Sequence, residues 1–206
     1  MRRTGEKSLA GHVAALGRRV FTSAELGAVS LRSGSVVSQG LAVMQRQGLA
    51  LRLGHGLWSA GAEPPGQYEV VPHLLPKQRV YVSFTSALHL HGVIEQIPQV
   101  ITLASTAHTR LLATRAGSFA LHHLAPEMFC GFDWDARRGF ALASPEKALV
   151  DCLYVSAFRK RQFSHFPELD LERLELKKAR AWAARIKNPM AREHVLKRLA
   201  GLFKYK

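Results

Sequence analysis

Apolar positions at helical spacing recur three times in the first third of the chain. Leu9, Val13 and Leu16 fall at i, i+4, i+7 within Ser8–Leu16 and predict a first helix, ended by Gly17. Thr22 and Glu25 stand three residues apart, the spacing of a capping box, with Phe21 placed to staple onto the helix they open, roughly 23–29. Val37, Leu41 and Met44 repeat the period over 35–47, behind Ser33-Gly34-Ser35 and ahead of Gly48. The period then changes from 3.6 to 2. Leu49, Leu51 and Leu53 alternate with Ala50, Arg52 and Gly54, which predicts a half-buried strand. Gly54-His55-Gly56 supplies a turn, and Leu57-Trp58-Ser59 starts a return strand. Helix, short helix, turn, helix, hairpin is the order of a winged helix-turn-helix. The polar side of the third helix carries Ser35, Ser38, Gln39, Gln45 and Arg46, side chains suited to base edges and phosphates.

Pro64, Pro65 and Gly66 break both regular structures and predict a linker, which puts a boundary near residue 65. Tyr68 to Val71 reads as a short strand. Tyr81–Gly92 carries a short helix capped by Thr85 or Ser86 and ended by Gly92. Val100–Ala104 is β-branched and apolar, a buried strand. Two further strands are expected around Ala116-Gly117 and another pair around Ala136–Gly139, making a mixed sheet of four or five. Ser144, Pro145 and Glu146 then open a helix running to about Phe158. Beyond it Leu171, Leu174, Ala179, Trp182 and Ile186 give an imperfect helical stripe. Asn188-Pro189 breaks that stripe, and Val195, Leu199, Leu202 and Phe203 give a second. The expected class is α+β: a winged helix-turn-helix over 1–65, then a mixed α/β domain over 66–206 that ends in a basic helical tail from 158.

Charge sharpens this division. Residues 1–80 carry 10 Lys/Arg and 4 Asp/Glu, residues 81–158 carry 5 and 6, and residues 159–206 carry 14 and 5. A neutral centre between two basic ends points to a polyanion such as DNA or RNA. No run of about 18 apolar residues predicts a membrane span, and no signal core follows Met1–Glu6, so a cytoplasmic protein without a membrane partner is expected. Cys130 and Cys152 are too few for a disulfide framework and are expected as reduced thiols.

Within this frame residues 20–60 resemble the winged N-terminal domain of the AbiEi family, the antitoxin and transcriptional regulator of type IV toxin–antitoxin systems. The resemblance lies in Val20-Phe21-Thr22, Glu25-Leu26, Val36–Leu41, Gln47-Gly48-Leu49 and Gly56-Leu57-Trp58. Ser86-Ala87-Leu88-His89-Leu90-His91-Gly92 and Phe140–Asp151 resemble the antitoxin domain of the same family. Together the likeness spans roughly 20–158, and the tail stands outside it. It implies autorepression of a toxin–antitoxin operon, and neutralisation of a nucleotidyltransferase toxin without need of a stable complex.

Three other chemistries compete. His89, His91, His122 and His123 invite a metal, but no carboxylate motif frames them, and no cofactor is expected. Gly117-Ser118 with Asp133 and Asp135 echoes a metal-dependent nucleotidyltransferase; yet Gly-Ser should then open a helix, whereas Phe119–His122 reads as strand. Lys147 and Asp151, one helical turn apart, are placed to pair, and Glu146 lies on the same helix. No nucleophile motif stands beside them, so a non-enzyme is expected. The expected DNA contacts are Ser35, Ser38 and Gln39 to base edges, with Arg46, Arg52 and His55 to phosphates or the minor groove. The expected partner is a double-stranded operator, bound by two or more copies on repeated half-sites. The alternatives are an RNA- or tRNA-binding protein that uses the basic tail, and a metal-dependent nucleotidyltransferase-like enzyme that uses Asp133 and Asp135.

Overall fold

A computed structural model describes residues 8–159, 162–163 and 165–205. Among them the chain forms eight α-helices and two β-sheets, a mixed α+β architecture. It divides into two compact units. The first takes in the described residues up to Leu74 together with Ala113–Gly117, and the second takes in Leu75–Leu112 and the described residues from Ser118 on.

In the first unit α1 (Leu9–Ala15) is capped by Ser8, whose hydroxyl accepts from Gly11 N at 3.1 Å. Strand β1 (Val20–Thr22) leads into α2 (Ser23–Ser30) through the capping box. Thr22 Oγ1 accepts from Glu25 N at 3.2 Å and Glu25 Oε2 accepts from Thr22 N at 2.8 Å. Helix α3 spans Gly34–Arg46. Strands β2 (Ala50–Gly54) and β3 (Leu57–Ala60) form an antiparallel hairpin, and β1 pairs with β3, so the sheet order is β1-β3-β2. Leu9, Val13, Phe21, Leu26, Val37, Leu41, Met44, Ala50 and Trp58 make one core. The segment 113–117 joins this unit through Arg115 N–H, which donates to Leu53 O at 3.0 Å.

Two expectations change here. The alternation expected over 49–54 is out of phase: Ala50 and Leu53 are buried and Leu49 is exposed. The register shifts between Arg52 and Gly54, and this bulge puts Ala50 and Leu53 on one side although they are three residues apart. Tyr68–Val71 is not a strand. Gln67–Val70 is a single helical turn, α4, because Glu69 reaches back to accept from Gly66 N at 2.7 Å, and a 3₁₀ turn at Val71–His73 follows.

The second unit is built on a six-stranded mixed sheet, where four or five strands are expected. Its strands are β4 (Val80–Val82), β5 (Val100–Ser105), β6 (Arg110–Thr114), β7 (Gly117–His123), β8 (Phe132–Asp135) and β9 (Phe140–Ala143), in the order β6-β7-β5-β4-β9-β8. Ala113, Thr114 and Gly117, at the β6–β7 turn, group with the first unit. β4 lies parallel to β9 and antiparallel to β5, and β5 lies parallel to β7. Helix α5 (Phe84–Leu90) starts from Ser83 rather than from Thr85 or Ser86. The Ser86 hydroxyl is used elsewhere: it accepts from Thr102 N at 2.8 Å, while Thr102 Oγ1 accepts from Ser86 N at 3.0 Å, which ties the helix to β5.

Helix α6 (Pro145–Phe158) opens as expected, with Ser144 Oγ accepting from Lys147 N at 3.3 Å. Ten of its 14 residues are buried, so it has no solvent stripe and acts as the axis of this unit. It packs against α5, α7 (Leu176–Ala184) and α8 (Pro189–Leu202). Asn188-Pro189 ends one tail helix and begins the next, because Asn188 Oδ1 accepts from Ala191 N at 3.0 Å and Pro189 takes the first helical position. Ala179, Ala183, Ile186, Val195 and Leu199 carry the tail's buried stripe. Among the described residues no helix is long and apolar enough to cross a membrane.

Candidate nucleic-acid interface

Helix α3 buries Val37, Leu41 and Met44 and exposes the opposite side. Its entry is set by Leu31, which ends α2 in the left-handed conformation (φ 53°), with Arg32 N–H donating to Gly27 O at 3.2 Å. Gly40 faces α1: a Cβ there would lie 2.4 Å from Leu9 Cδ2, so glycine permits the close crossing of the two helices. Its exit is set by Gly48 (φ 71°), and Leu49 N–H donates to Met44 O at 2.9 Å. At the hairpin tip Gly56 adopts φ 65° and its carbonyl accepts from Ser23 N at 2.9 Å, which fixes the tip to the start of α2.

All six expected contact residues are exposed. At 100° per residue Ser35, Gln39 and Arg46 fall within about 40° of arc, in one row along α3. Ser38 lies apart from that row, on the side of Gln45. Ser35 Oγ sits 3.0 Å from Ser33 Oγ, so the hydroxyl at the head of the row is held. Arg52 projects from β2 with Nε donating to Gly54 O at 3.3 Å, and His55 stands at the turn between β2 and β3.

The electrostatics favour an anion. Between Glu25 and Glu63 the chain has no acidic residue, while Arg32, Arg46 and Arg52 lie in that interval. Glu25 is occupied: Arg18 lies 2.6 Å away, and both Thr22 N and Thr22 Oγ1 donate to it. Burial acts to raise the Glu25 carboxyl, but the Thr22 hydrogen bonds and the Arg18 charge outweigh burial and hold it below the usual carboxylate range.

The second unit holds a buried polar cluster that the sequence pattern shows only in part. Lys147 and Asp151 pair across one turn of α6, as their spacing allows. Tyr81 and Ser83, about 65 residues earlier in the chain, complete the cluster. Lys147 Nζ donates to Tyr81 OH at 3.1 Å; Tyr81 OH and Ser83 Oγ donate to Asp151 Oδ2 at 3.1 and 2.7 Å. Tyr81 stacks on Phe132 with centroids 4.2 Å apart. Burial, and then the Asp151 charge, push the Tyr81 hydroxyl far above the ordinary tyrosine range. Such a hydroxyl stays protonated and donates. The cluster is wholly enclosed, so it is a framework for the unit rather than a place where a ligand meets a base.

The other candidates do not converge. His91 Nε2 lies 2.8 Å from Ala143 O and His123 Nδ1 lies 3.0 Å from Thr106 O, while His122 is buried against Phe84. Ser118 lies on β7 and Asp133 on β8, four places apart in the sheet, which separates them by about 19 Å at ordinary strand spacing. Asp135 accepts from Arg137 N, Arg138 N and the Arg138 guanidinium, an arrangement that closes the β8–β9 turn. In the tail Lys177, Arg180, Arg185 and Lys187 are exposed. No family model matches the chain, and no curated protein matches it.

Proposed function

We propose that the chain is a DNA-binding transcriptional regulator, with a winged helix-turn-helix in the first unit and an antitoxin domain of the AbiEi type in the second. The observation that carries the DNA-binding half is α3: a buried Val37-Leu41-Met44 stripe, an exposed row of Ser35, Gln39 and Arg46, and no carboxylate from there to the hairpin. In this reading α3 enters a major groove. Gln39 bonds an adenine edge bidentately, for about 1–3 kcal/mol of discrimination. Arg46, Arg52 and His55 meet phosphates or the neighbouring minor groove. One such module covers little DNA, so several copies act on repeated half-sites. The antitoxin half rests on the likeness of Ser86–Gly92 and Phe140–Asp151 to that domain. It makes a nucleotidyltransferase toxin the functional partner, neutralised without a stable complex.

Selection of bound duplexes from a random pool by the full chain tests the first half. A recovered motif whose preference at one A·T pair disappears in Gln39→Ala is expected. Equal enrichment of all sequences by both proteins would overturn it. Co-expression with the gene beside it tests the second half. A nucleotidyltransferase that arrests growth alone and is tolerated with this chain is expected; no rescue would sink the antitoxin role.

A second reading, RNA binding by the tail, draws on the exposed Lys177, Arg180, Arg185 and Lys187.

A further inference from the structure

Helix α3 exposes more than polar groups. Val36 is 45% exposed and Val43 is 42% exposed. Val36 and Val43 stand two turns apart on one side, bordering the Ser35-Gln39-Arg46 row. β-Branched residues on the solvent side of a helix bring neither helix propensity nor solubility. A side meant only for water would hold Lys, Glu or Gln there.

We propose that Val36 reads the 5-methyl group of a thymine next to the A·T pair read by Gln39. This inference rests on α3 being the recognition helix. The thymine methyl is the one apolar group that base edges present in the major groove, and small aliphatic side chains contact it. Val36 sits in the first turn of α3, and the first turns of a recognition helix come closest to the bases. Gln39 is three residues further on, one turn along the same helix. A rise of 5.4 Å per turn matches one to two base-pair steps, so the two contacts fall on neighbouring pairs. Duplex DNA is favoured over a second copy of the chain by charge. The charged residues within α3 and the hairpin that follows it, Arg46 and Arg52, are both cations. A two-fold self-contact would bring these like charges together, whereas a phosphate backbone neutralises them.

The test uses the full chain and the duplex recovered by selection. Each thymine is replaced in turn by deoxyuridine, which removes the 5-methyl group and leaves the hydrogen-bonding edge intact. Affinity is expected to fall about fourfold at one position within two base pairs of the Gln39-dependent pair, the value of one buried methyl. Val36→Ser is expected to bind the thymine and deoxyuridine duplexes equally, with an unchanged thermal melt. Indifference to every replacement, or retention of the preference by Val36→Ser, overturns the inference and leaves the DNA-binding reading standing. Dissociation of an oligomer by Val36→Ser with the thymine preference intact also overturns it, and makes the strip a contact between copies. If no duplex is enriched at all, the reading of α3 falls and this inference with it.

Discussion

Lys147 and Asp151 pair one turn apart on α6 with neither side chain reaching solvent. Two ions so placed lose their hydration, and their attraction offsets that loss only when the remaining donors and acceptors are met. Here they are met, by Tyr81 and Ser83 flanking the end of β4. Burial pushes the Asp151 carboxyl up, and Lys147, Ser83 and Tyr81 oppose it. The cluster thus fixes the register of α6 on the sheet. Asp151→Ala leaves a buried ammonium without its counter-ion and is expected to cost about 3–5 kcal/mol in urea unfolding. The double change Lys147→Met with Asp151→Leu removes both charges and is expected to cost much less than the single change. A double variant as unstable as the single one would show that the charges are not the source of the penalty.

His122 gives the second unit a pH dependence of known sign. Its ring packs 4.7 Å from Phe84 and 5.2 Å from Phe163, and its Nδ1 meets no hydrogen-bond partner among the described residues. Burial, with the charge of Arg159 second, lowers its pKa to about 4. The unfolded chain, with a histidine pKa near 6.5, binds the proton first. Stability from this group is therefore complete above about pH 6.5, falls as the pH drops towards 4, and is flat below that. The full span is about 3 kcal/mol by the usual conversion. His122→Phe keeps an aromatic ring in place and is expected to flatten the stability profile between pH 6.5 and 4 relative to the parent. An identical slope in both proteins would assign the acid sensitivity to other groups.

What the sequence made legible follows from how local each signal is. The Thr22–Glu25 box and the Val37-Leu41-Met44 stripe involve residues within two turns of each other, and both are present as read. Ser144 with Pro145 marks a helix start for the same reason, while Asn188-Pro189, legible only as a break, is also the start of α8. The phase of Leu49–Leu53 failed because a bulge at Arg52 and Gly54 changes which residues share a side, and no pattern of period 2 encodes it. Gln67–Val70 was hidden because a single turn is too short to show a period. At the site the exposure of Ser35, Gln39 and Arg46 was readable from the helical period. The partners of Asp151 were not. Tyr81 and Ser83 lie some 70 residues away, and they meet Asp151 only because α6 packs on the strand and loop that carry them.

The salt dependence of binding separates the two candidate surfaces. Removing the tail is a poor test, since Val195 and Leu199 of α8 are fully buried and α8 packs on α6. Its loss would open the second unit's core. Charge-neutralising changes on exposed residues avoid this. If the first unit holds the duplex, Arg52→Gln weakens binding to all DNA sequences alike and lowers the slope of log affinity against log salt by about one. Under the same reading Lys177→Gln with Arg180→Gln, both on the exposed side of α7, leaves that slope unchanged. The RNA reading expects the reverse for a structured RNA. The α7 pair then lowers the slope by about two, one for each lost phosphate contact, and Arg52→Gln has no effect. Titrations of the parent and both variants at three salt concentrations, on one duplex and one RNA hairpin, decide between them. A slope that responds to the α7 pair on duplex DNA would put the polyanion surface on the tail and count against α3 and the hairpin.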